Sequence, residues 1–215
     1  FNSFKEIFID IHDEKLEFKF VEITDSKLLE SLNFNYQTIP DGSIIEFNDK
    51  LSILAKTFDT LLEKGFVLTI DYGFNSPNIK ENIIRYNSFR CYYNHNSDQN
   101  PLINIGNKDM TYDIDFNLWN KSLESVGFKY YCSANQSNFL INLGLRNFID
   151  KLRVSGLSER DLNLNRKAIL DLIKPDGLGR FTVQAHSKNL EKTLTLDGFS
   201  KIPSKKLPLN FVPHL

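Results

Sequence analysis

The stretch Phe66-Val67-Leu68-Thr69-Ile70-Asp71-Tyr72-Gly73-Phe74 is a continuous apolar run that ends in a carboxylate, a phenol and a glycine. An apolar run of this length, bounded by turn residues, predicts a central parallel strand that is buried on both faces. Ligands of open α/β sheets bind at the carboxyl ends of such strands, so Asp71 and Tyr72 are candidate site residues. The alternative is structural, with Asp71 capping the next turn and Tyr72 packed in the core.

Helices and strands are predicted on both sides of this run. The apolar residues from Leu51 to Leu62 recur at helical spacing, which predicts a helix directly before the strand. Alternating apolar residues predict an antiparallel hairpin from Glu6 to Ile23 and a short strand from Ser43 to Phe47. Further along, the pattern predicts helices capped by Asp115 and Ser158, another helix over 135–143, and strands over 128–133 and 181–185. Strands that alternate with helices indicate an α/β sheet with helices on its faces.

The charge balance argues against one broad class of function. The 215 residues carry 26 Lys and Arg against 27 Asp and Glu, for a formal net charge of -1. Without a basic excess, general electrostatic capture of nucleic acid is not expected.

No apolar run approaches the ~20 residues of a membrane-spanning helix. Cys91 and Cys132 form neither a disulfide framework nor a zinc-binding set, which suits a reducing compartment such as the cytoplasm and predicts no metal site.

A second group of candidate residues lies in the segment between Phe74 and Asp115, which is rich in Asn, Pro, Gly and Asp. Long irregular segments of compact domains are often functional, and only residues 89–93 of this segment alternate like a strand. Arg90 and His95 lie there among tyrosines. A histidine in such a loop can act as an acid, a base or a hydrogen-bond donor near neutral pH, or its nitrogens can simply bond backbone carbonyls.

A third group lies just before the helix predicted after residue 115, and it comprises Asp109, Thr111, Asp113 and Asp115. Asp115 has a structural explanation, because it is well placed to cap that helix. Asp109 and Thr111 have no such explanation, so they are candidates for binding or catalysis. Gln136, at the start of the next predicted helix, adds an amide to the candidate groups.

Five ordered motifs cover most of the chain and resemble those of the MidA-like family of S-adenosylmethionine-dependent methyltransferases, which includes a mitochondrial complex I assembly factor. The first is the strand that ends in Asp-Tyr-Gly-aromatic. The others lie, in order, at Ser88–His95 with Asp98 and Pro101, at Gly106–Phe116, at Gln136–Gly144 and at Leu172–Phe181. The family has a histidine where this chain has Asp113, and a carboxylate at that position could alter or abolish activity.

The resemblance implies an α/β fold: the C-terminal part of a Rossmann-like class I methyltransferase sheet with an antiparallel hairpin insertion. The family's Gly-rich cofactor loop and acidic ribose contact precede the hairpin, whereas this chain begins at about the hairpin. The chain is therefore expected to be the C-terminal half of the catalytic domain, with the hairpin in residues 1–24 and the strands, substrate-side loops and helices in 43–215. Such a half is expected to bind the cofactor, S-adenosyl-L-methionine, weakly or not at all and to be inactive alone.

The family is associated with protein arginine N-methylation. The resemblance thus implies a protein substrate and a missing N-terminal half as partners, with a homodimer as a further possibility. Carboxylates suit a guanidinium because they can accept from its fork of donors. The implied catalytic residues are Asp71, Tyr72, His95, Asp109 and Thr111, and the implied substrate-binding residues are Arg90, Asp113, Asp115 and Gln136.

Alternatives to these implied roles stay open. An alternative of equal weight is that Asp109, Thr111 and Asp115 mainly brace the loop and do not contact a substrate. The chain as a whole could be a non-catalytic protein-interaction module or the complementing half of a split enzyme, because an isolated half-sheet exposes a strand edge that invites a partner. The mitochondrial matrix is the alternative to a cytoplasmic location.

Overall fold

The computed structural model describes residues 4–35, 41–74, 88–94, 96–190 and 194–200, which adopt a mixed α/β fold with several small sheets. The strands are β1 (Lys5–His12), β2 (Lys15–Glu22), β3 (Gly65–Asp71), β4 (Gly73–Phe74), β5 (Arg90–Tyr93), β6 (Asn96–Asp98), β7 (Asp109–Thr111), β8 (Ile114–Asp115), β9 (Lys129–Asn135) and β10 (Thr182–Lys188). The helices are α1 (Ser26–Asn35), α2 (Leu51–Leu61), α3 (Phe116–Glu124), α4 (Gln136–Asn142), α5 (Leu145–Arg153) and α6 (Glu159–Ile173). In the described part of the chain, no helix is long and apolar enough to cross a membrane.

Two compact units make up the chain. The first contains Phe1–Ala55 and Gly73–Ser122, and the second contains Lys56–Tyr72 and Leu123–Leu215. The first unit holds the hairpin β1-β2, the parallel pair β4-β8 and the sheet β6-β5-β7, whereas the second holds the sheet β3-β10-β9.

In the first unit, β1 and β2 form an antiparallel ribbon where the alternation predicts a hairpin, with pairs running from Lys5↔Glu22 to His12↔Lys15. The two turn residues Asp13 and Glu14 have φ of 48° and 62°, the left-handed conformation of a tight two-residue hairpin loop. Cross-strand partners lie on the same face of a ribbon, and one face carries only apolar side chains between its ends. This ribbon face consists of Ile7, Ile9, Ile11, Leu16, Phe18 and Phe20.

The core of the first unit lies at the base of the ribbon, where Leu32 and Phe74 are buried together. Residues 43–47, for which the alternation predicts a strand, have no regular structure, so that prediction is wrong. The apolar side chains of Ile45 and Phe47 pack against the buried pair. The alternating apolar pattern therefore reflects the packing of side chains here, and the backbone of this segment does not form a strand.

The first unit also contains a small antiparallel sheet in which β5 lies between β6 and β7. The sequence indicates only β5, because its neighbours are short and rich in Asn and Asp. Beside this sheet, Gly73 and Phe74 pair in parallel with Ile114 and Asp115. A Cβ atom on Gly73 would lie 2.2 Å from the carbonyl oxygen of Ile114, so only glycine permits this close approach of the two strands.

In the second unit, β10 lies between β3 and β9 and runs antiparallel to both, so β3 and β9 are parallel to each other. In the described sheet β3 is an edge strand with one antiparallel neighbour, so the predicted central place of Phe66–Ile70 among parallel strands is not seen in the described part of the chain. Its Leu68 and Ile70 side chains are exposed. An apolar run indicates burial potential but carries no information about the direction or number of neighbouring strands.

Several predicted helix starts are confirmed. Asp115 accepts hydrogen bonds from the backbone nitrogens of Asn117 and Leu118 at 2.9 and 3.1 Å and caps α3. Ser158 accepts from the backbone nitrogen of Asp161 at 3.2 Å and caps α6.

Helices α1 and α5 were not predicted from the sequence. The start of α1 carried a usable signal, since Asp25 accepts from two backbone nitrogens of its first turn.

Candidate functional site

The polar centre of the first unit joins three segments that are far apart in the sequence. The Ser88 hydroxyl donates to a Glu46 carboxylate oxygen at 3.2 Å, and the backbone nitrogen of Phe89 donates to the other at 3.0 Å. The same Ser88 oxygen accepts from the backbone nitrogen of Asp113 at 2.9 Å. We call Glu46, Ser88, Arg90 and Asp113 the carboxylate cluster. It fixes the start of β5 against the turn between β7 and β8.

The cluster contains one strong ion pair. The Arg90 guanidinium donates from Nη2 to Oδ1 of Asp113 at 2.5 Å, and both side chains are partly buried. Charge-assisted hydrogen bonds of this kind are among the stronger polar contacts of proteins. Both residues were sequence candidates, and the structure brings them into direct contact. Because the Asp113 carboxylate already has a cationic partner, its most evident role is to hold Arg90 and the β7–β8 turn in place.

Glu46 was not among the residues predicted from the sequence. Burial raises the pKa of its carboxyl group, and the hydrogen bond from the Phe89 backbone nitrogen lowers it in part. The group thus lies in a water-poor environment that favours its protonated form relative to an exposed glutamate. One signal was present: Glu46 is the only charged residue in the apolar segment 43–47.

The candidates on β7 differ in their exposure. Asp109 is exposed and is paired across the sheet with Tyr92, which is also exposed. Thr111 lies opposite Arg90, and its hydroxyl oxygen is buried and makes no hydrogen bond within the described residues. Between them and α3, the hydroxyl oxygen of Tyr112 accepts from the Asn48 side-chain nitrogen at 2.6 Å. Asp109 is therefore the carboxylate of this strand that a ligand could reach.

A buried lysine anchors the loop that leads into β7. The ammonium group of Lys108 donates to both carboxylate oxygens of Asp98, at 2.8 and 2.6 Å, and to the carbonyl oxygen of Asn100 at 3.0 Å. The hydrogen bond from Lys108 lowers the pKa of Asp98. The loop is thus tied back to β6 immediately before Asp109, which restrains the position of that residue.

In the second unit, the predicted site residues make structural contacts. The Asp71 carboxylate accepts from the backbone nitrogen of Tyr72 at 2.8 Å, as the turn-capping alternative predicts. The Tyr72 ring packs edge-on against Phe181, with 5.3 Å between ring centroids. Gln136 donates from its side chain to the carbonyl oxygen of Leu172 at 2.9 Å and from its backbone to Phe181 at 2.8 Å. These contacts hold α4, the end of α6 and β10 together.

The structure brings Arg90, Thr111 and Asp113 together in the first unit, with Asp109 on the same short strand as Thr111. Asp115 lies in that unit as a helix cap. Asp71, Tyr72 and Gln136 belong to the second unit. His95 lies outside the described residues.

Gly73 and Gly179, the glycines of two candidate motifs, do not form a cradle for S-adenosyl-L-methionine. A Cβ atom on Gly179 would lie 2.4 Å from the backbone of Ile173, so the turn at 177–179 is packed against the end of α6. The space beside Gly73 is likewise occupied by Ile114. These two glycines thus do not fit the cofactor-binding arrangement of a glycine turn with a nearby carboxylate. The binding of this group is therefore not assigned to them.

The fold is that of S-adenosylmethionine-binding, methyltransferase-like proteins. An uncharacterised superfamily protein from Burkholderia thailandensis superposes with a TM-score of 0.77 at 21% identity, over 92% of this chain and 52% of that one. A member of the same superfamily from that organism, solved bound to S-adenosyl-homocysteine, superposes with a TM-score of 0.76 at 20% identity, over 93% of this chain and 50% of that one. The chain spans about half the length of these two proteins.

The sequence also defines the family. A family described as "Putative S-adenosyl-L-methionine-dependent methyltransferase" matches residues 2–132, which is more than half of the chain. The chain belongs to this family, whose cofactor is S-adenosyl-L-methionine. No curated protein matches the sequence significantly.

Proposed function

We propose that this chain is the C-terminal, substrate-side half of a MidA-like class I methyltransferase domain. The observation that carries the proposal is the sheet of the second unit, in which the reversed strand β10 separates the parallel strands β3 and β9. We assign these three strands to the fifth to seventh strands of the Rossmann-like sheet, with β1 and β2 as its hairpin insertion. The coverage of about half of each similar structure supports the same assignment.

The proposal divides the work of the enzyme between two parts. The rest of the domain would hold the cofactor, because Gly73 and Gly179, the glycines of two candidate motifs, are packed against protein atoms. The present chain would bind and orient the methyl acceptor. Orientation is a large contribution in such a reaction, since holding two reactants in the right geometry removes much of the entropic part of the barrier.

We further propose a protein arginine side chain as the acceptor, with Asp109 as the residue that orients it. Asp109 is an exposed carboxylate on a braced strand, and the exposed ring of Tyr92 lies opposite it. A carboxylate accepts from a guanidinium fork, and an aromatic face attracts a cation. Asp113 is a weaker candidate for this contact, because Arg90 already neutralises it.

For the remaining residues we propose roles that differ in part from the catalytic and substrate-binding roles that the resemblance implies. His95 is proposed as proton acceptor or hydrogen-bond partner, and Asp71 and Tyr72 as the anchor at the end of β3. Arg90 and Asp113 are proposed to position the β7–β8 turn. Thr111 adds a buried hydroxyl beside that pair. Asp115 and Gln136 are proposed to brace the helices to which they are bonded.

The acceptor proposal is tested by Asp109→Asn in the complete protein, with transfer of labelled methyl groups to arginine-containing peptides as the readout. We expect a loss of at least about tenfold in transfer, because the neutral amide holds a guanidinium less well. The free energy of unfolding should change by no more than about 0.5 kcal/mol, as for other surface substitutions. The control is Asp41→Asn, which removes another exposed carboxylate of the same unit.

Three outcomes would contradict this part of the proposal. Equal transfer by Asp109→Asn and the control would remove Asp109 from the site. Loss of folding by Asp109→Asn would support the alternative in which the residue braces the loop. Transfer to lysine peptides in place of arginine peptides would replace the acceptor class and leave the methyltransferase assignment intact.

One observation favours the second candidate function, a complementing half of a split enzyme or a non-catalytic interaction module. Within the described sheet, β3 is an edge strand, and its Leu68 and Ile70 are exposed. Exposed edges with apolar side chains invite pairing with another chain. Methyl transfer restored by mixing this chain with a separately produced cofactor-binding half would favour the split enzyme. Binding of a protein without any transfer would favour the interaction module.

For the compartment, we propose the cytoplasm, with the mitochondrial matrix and a role in complex I assembly as the alternative that the MidA-like resemblance implies. Cys91 and Cys132 are both free thiols. Burial raises the pKa of Cys132 to about 11, so its thiolate form is scarce near neutral pH. Free, weakly reactive thiols are typical of proteins from reducing compartments.

A further inference from the structure

Glu46 lies in a segment that the core of the first unit holds in place. Its chain neighbours Ile45 and Phe47 both pack against that core. Burial raises the pKa of the Glu46 carboxyl group, and hydrogen bonds, first that from the Phe89 backbone nitrogen, lower it in part. A carboxylate removed from water costs free energy unless hydrogen bonds replace its hydration. Glu46 is thus a carboxylate on a fixed base, and its hydrogen bonds reach the start of β5.

The Ser88 hydroxyl connects Glu46 to the turn between β7 and β8. It donates to a Glu46 carboxylate oxygen at 3.2 Å and accepts from the backbone nitrogen of Asp113 at 2.9 Å. A hydroxyl that donates to a charged acceptor becomes a better acceptor itself, because hydrogen bonds in a chain polarise one another. Ser88 is only 5% exposed, so little water competes for either bond. Glu46 therefore strengthens the bond that holds the backbone of Asp113.

The backbone of Asp113 links this chain of hydrogen bonds to strand β7. The Asp113 side chain accepts from Arg90, and Arg90 lies opposite Thr111 in the pairing of β5 with β7. The turn is therefore tied to β5 at Thr111 by strand pairing and at Asp113 by both its backbone and its side chain. Asp109 lies two residues before Thr111, on the same face of the strand. A shift of this turn would consequently move the Asp109 carboxylate.

We propose that Glu46 is a positioning residue for methyl transfer, which acts through Ser88 to fix the β7–β8 turn and with it the orientation of Asp109. This role rests on the function proposed above, in which Asp109 binds the methyl acceptor. Glu46 acts through other residues, so its contribution is geometric. A displacement of about 1 Å in a group that orients a substrate can cost about a hundredfold in rate.

The test is Glu46→Gln in the complete protein, with methyl transfer to arginine-containing peptides as the readout. The amide keeps an acceptor for the Phe89 backbone nitrogen but removes the acceptor of the Ser88 hydroxyl proton. We expect the KM for the peptide to rise at least about fivefold at equal folded fraction, with an unchanged affinity for S-adenosyl-L-methionine. The matched control is Glu30→Gln, at an exposed position of the same unit, which should behave as the wild type.

A second variant tests whether Glu46 acts through the hydroxyl. Ser88→Ala breaks the same chain of hydrogen bonds without a change to the carboxylate, so it should raise the KM for the peptide to a similar extent. The double variant Glu46→Gln/Ser88→Ala should lose no more transfer than Ser88→Ala alone, because residues that act in one chain have non-additive effects. A merely structural role would lower transfer in proportion to the folded fraction and leave the KM unchanged.

Amide hydrogen exchange tests the geometry independently of methyl transfer. In Glu46→Gln, the backbone amides of Asp113 and β7 should exchange at least about tenfold faster than in the wild type, because the turn opens locally. The amides of α6, in the second unit, should exchange at the wild-type rate. This difference separates a local change from a loss of global stability.

Three results would overturn the proposal. They are an unchanged KM for the peptide in Glu46→Gln, additive losses in the double variant, and unchanged exchange of β7. A wild-type protein that transfers no methyl groups to peptides would contradict the function proposed above and not the chain of hydrogen bonds. The exchange measurement alone then decides whether Glu46 fixes β7.

Discussion

The ribbon β1-β2 and the strand β10 show opposite relations between composition and burial. One face of the ribbon is apolar beyond the Lys5–Glu22 pair at its base, yet both of its strands are exposed. Strand β10 contains Gln184 and His186, yet both side chains are fully buried together with Val183 and Ala185. The more apolar region is thus the less buried one.

The difference lies in the number of neighbours. Strand β10 has β3 on one side and β9 on the other, and α4 packs against β9 and β10. Among the described residues, the ribbon has a neighbour only at its base, where Phe4 and Ile23 meet the core. Burial of a strand is therefore set by what the topology places around it, and side-chain composition shows only whether a cover is needed.

The largest expected effect concerns the buried strand. Val183→Asp places a carboxylate between β3 and β9 at a position with no exposed surface, and we expect the free energy of unfolding to fall by about 4 kcal/mol or more. The matched variant Ile11→Asp on the ribbon should cost less than about 1 kcal/mol in dilute solution, because Ile11 is largely exposed. Urea denaturation measures both. Similar losses in the two variants would break the comparison.

His186 provides a pH-dependent test of the same burial. Burial lowers its pKa to about 4, because the charged imidazolium loses its hydration. The unfolded state therefore takes up a proton near pH 6.5, before the folded state does. Stability from this group is present above pH 6.5 and is lost as the pH falls toward 4, by about 3 kcal/mol in total.

The variant His186→Phe should lose this part of the acid dependence. It should also keep its stability at pH 8, since neither ring nitrogen makes a hydrogen bond within the described residues. Thermal unfolding from pH 4 to 8 measures the difference between wild type and variant. Strong destabilisation of His186→Phe at pH 8 would indicate that the imidazole has a polar partner, such as an internal water, and that β10 is less dry than its exposure indicates.

Glu46 is an intermediate case, a charged side chain that is only partly buried. Because its pKa is raised in the folded state, its contribution to stability is full below the unfolded pKa near 4.5 and declines as the pH rises through the higher folded value. Glu46→Gln should abolish this decline and cost about 1 kcal/mol, because an acceptor for the Phe89 nitrogen remains. Unfolding by urea at pH 4, 5 and 7 tests this. An unchanged pH dependence in the variant would show that the carboxylate is well hydrated.

The parts of the fold that could be predicted are those that neighbours in the sequence determine. Asp115 and Ser158 cap their helices through contacts with residues two or three positions away, so the local pattern was sufficient. The direction of β3 was not predictable in the same way, because its partner β10 lies more than a hundred residues further along. The strand predicted over 43–47 was wrong for a related reason, because alternating apolar residues do not show whether a partner strand exists.

The candidate site shows the same difference between features that sequence neighbours determine and features that distant residues determine. Arg90 and Asp113 were candidates because charged residues in an irregular segment are conspicuous, but their mutual contact depends on the pairing of β5 with β7. Glu46 was missed because its partners Ser88 and Phe89 lie more than forty residues away. The sequence therefore indicated the polar groups but not which of them are in contact. Asp115 is the helix cap that its position predicted.

The most direct test of the half-domain proposal is calorimetric titration of S-adenosyl-L-methionine into the 215-residue chain. Gly179 and Gly73 are packed against Ile173 and Ile114 and offer no cradle, so we expect no micromolar binding by this chain alone. We expect micromolar binding by a longer polypeptide that adds the cofactor-binding half. A micromolar dissociation constant for the 215-residue chain by itself would contradict the proposal.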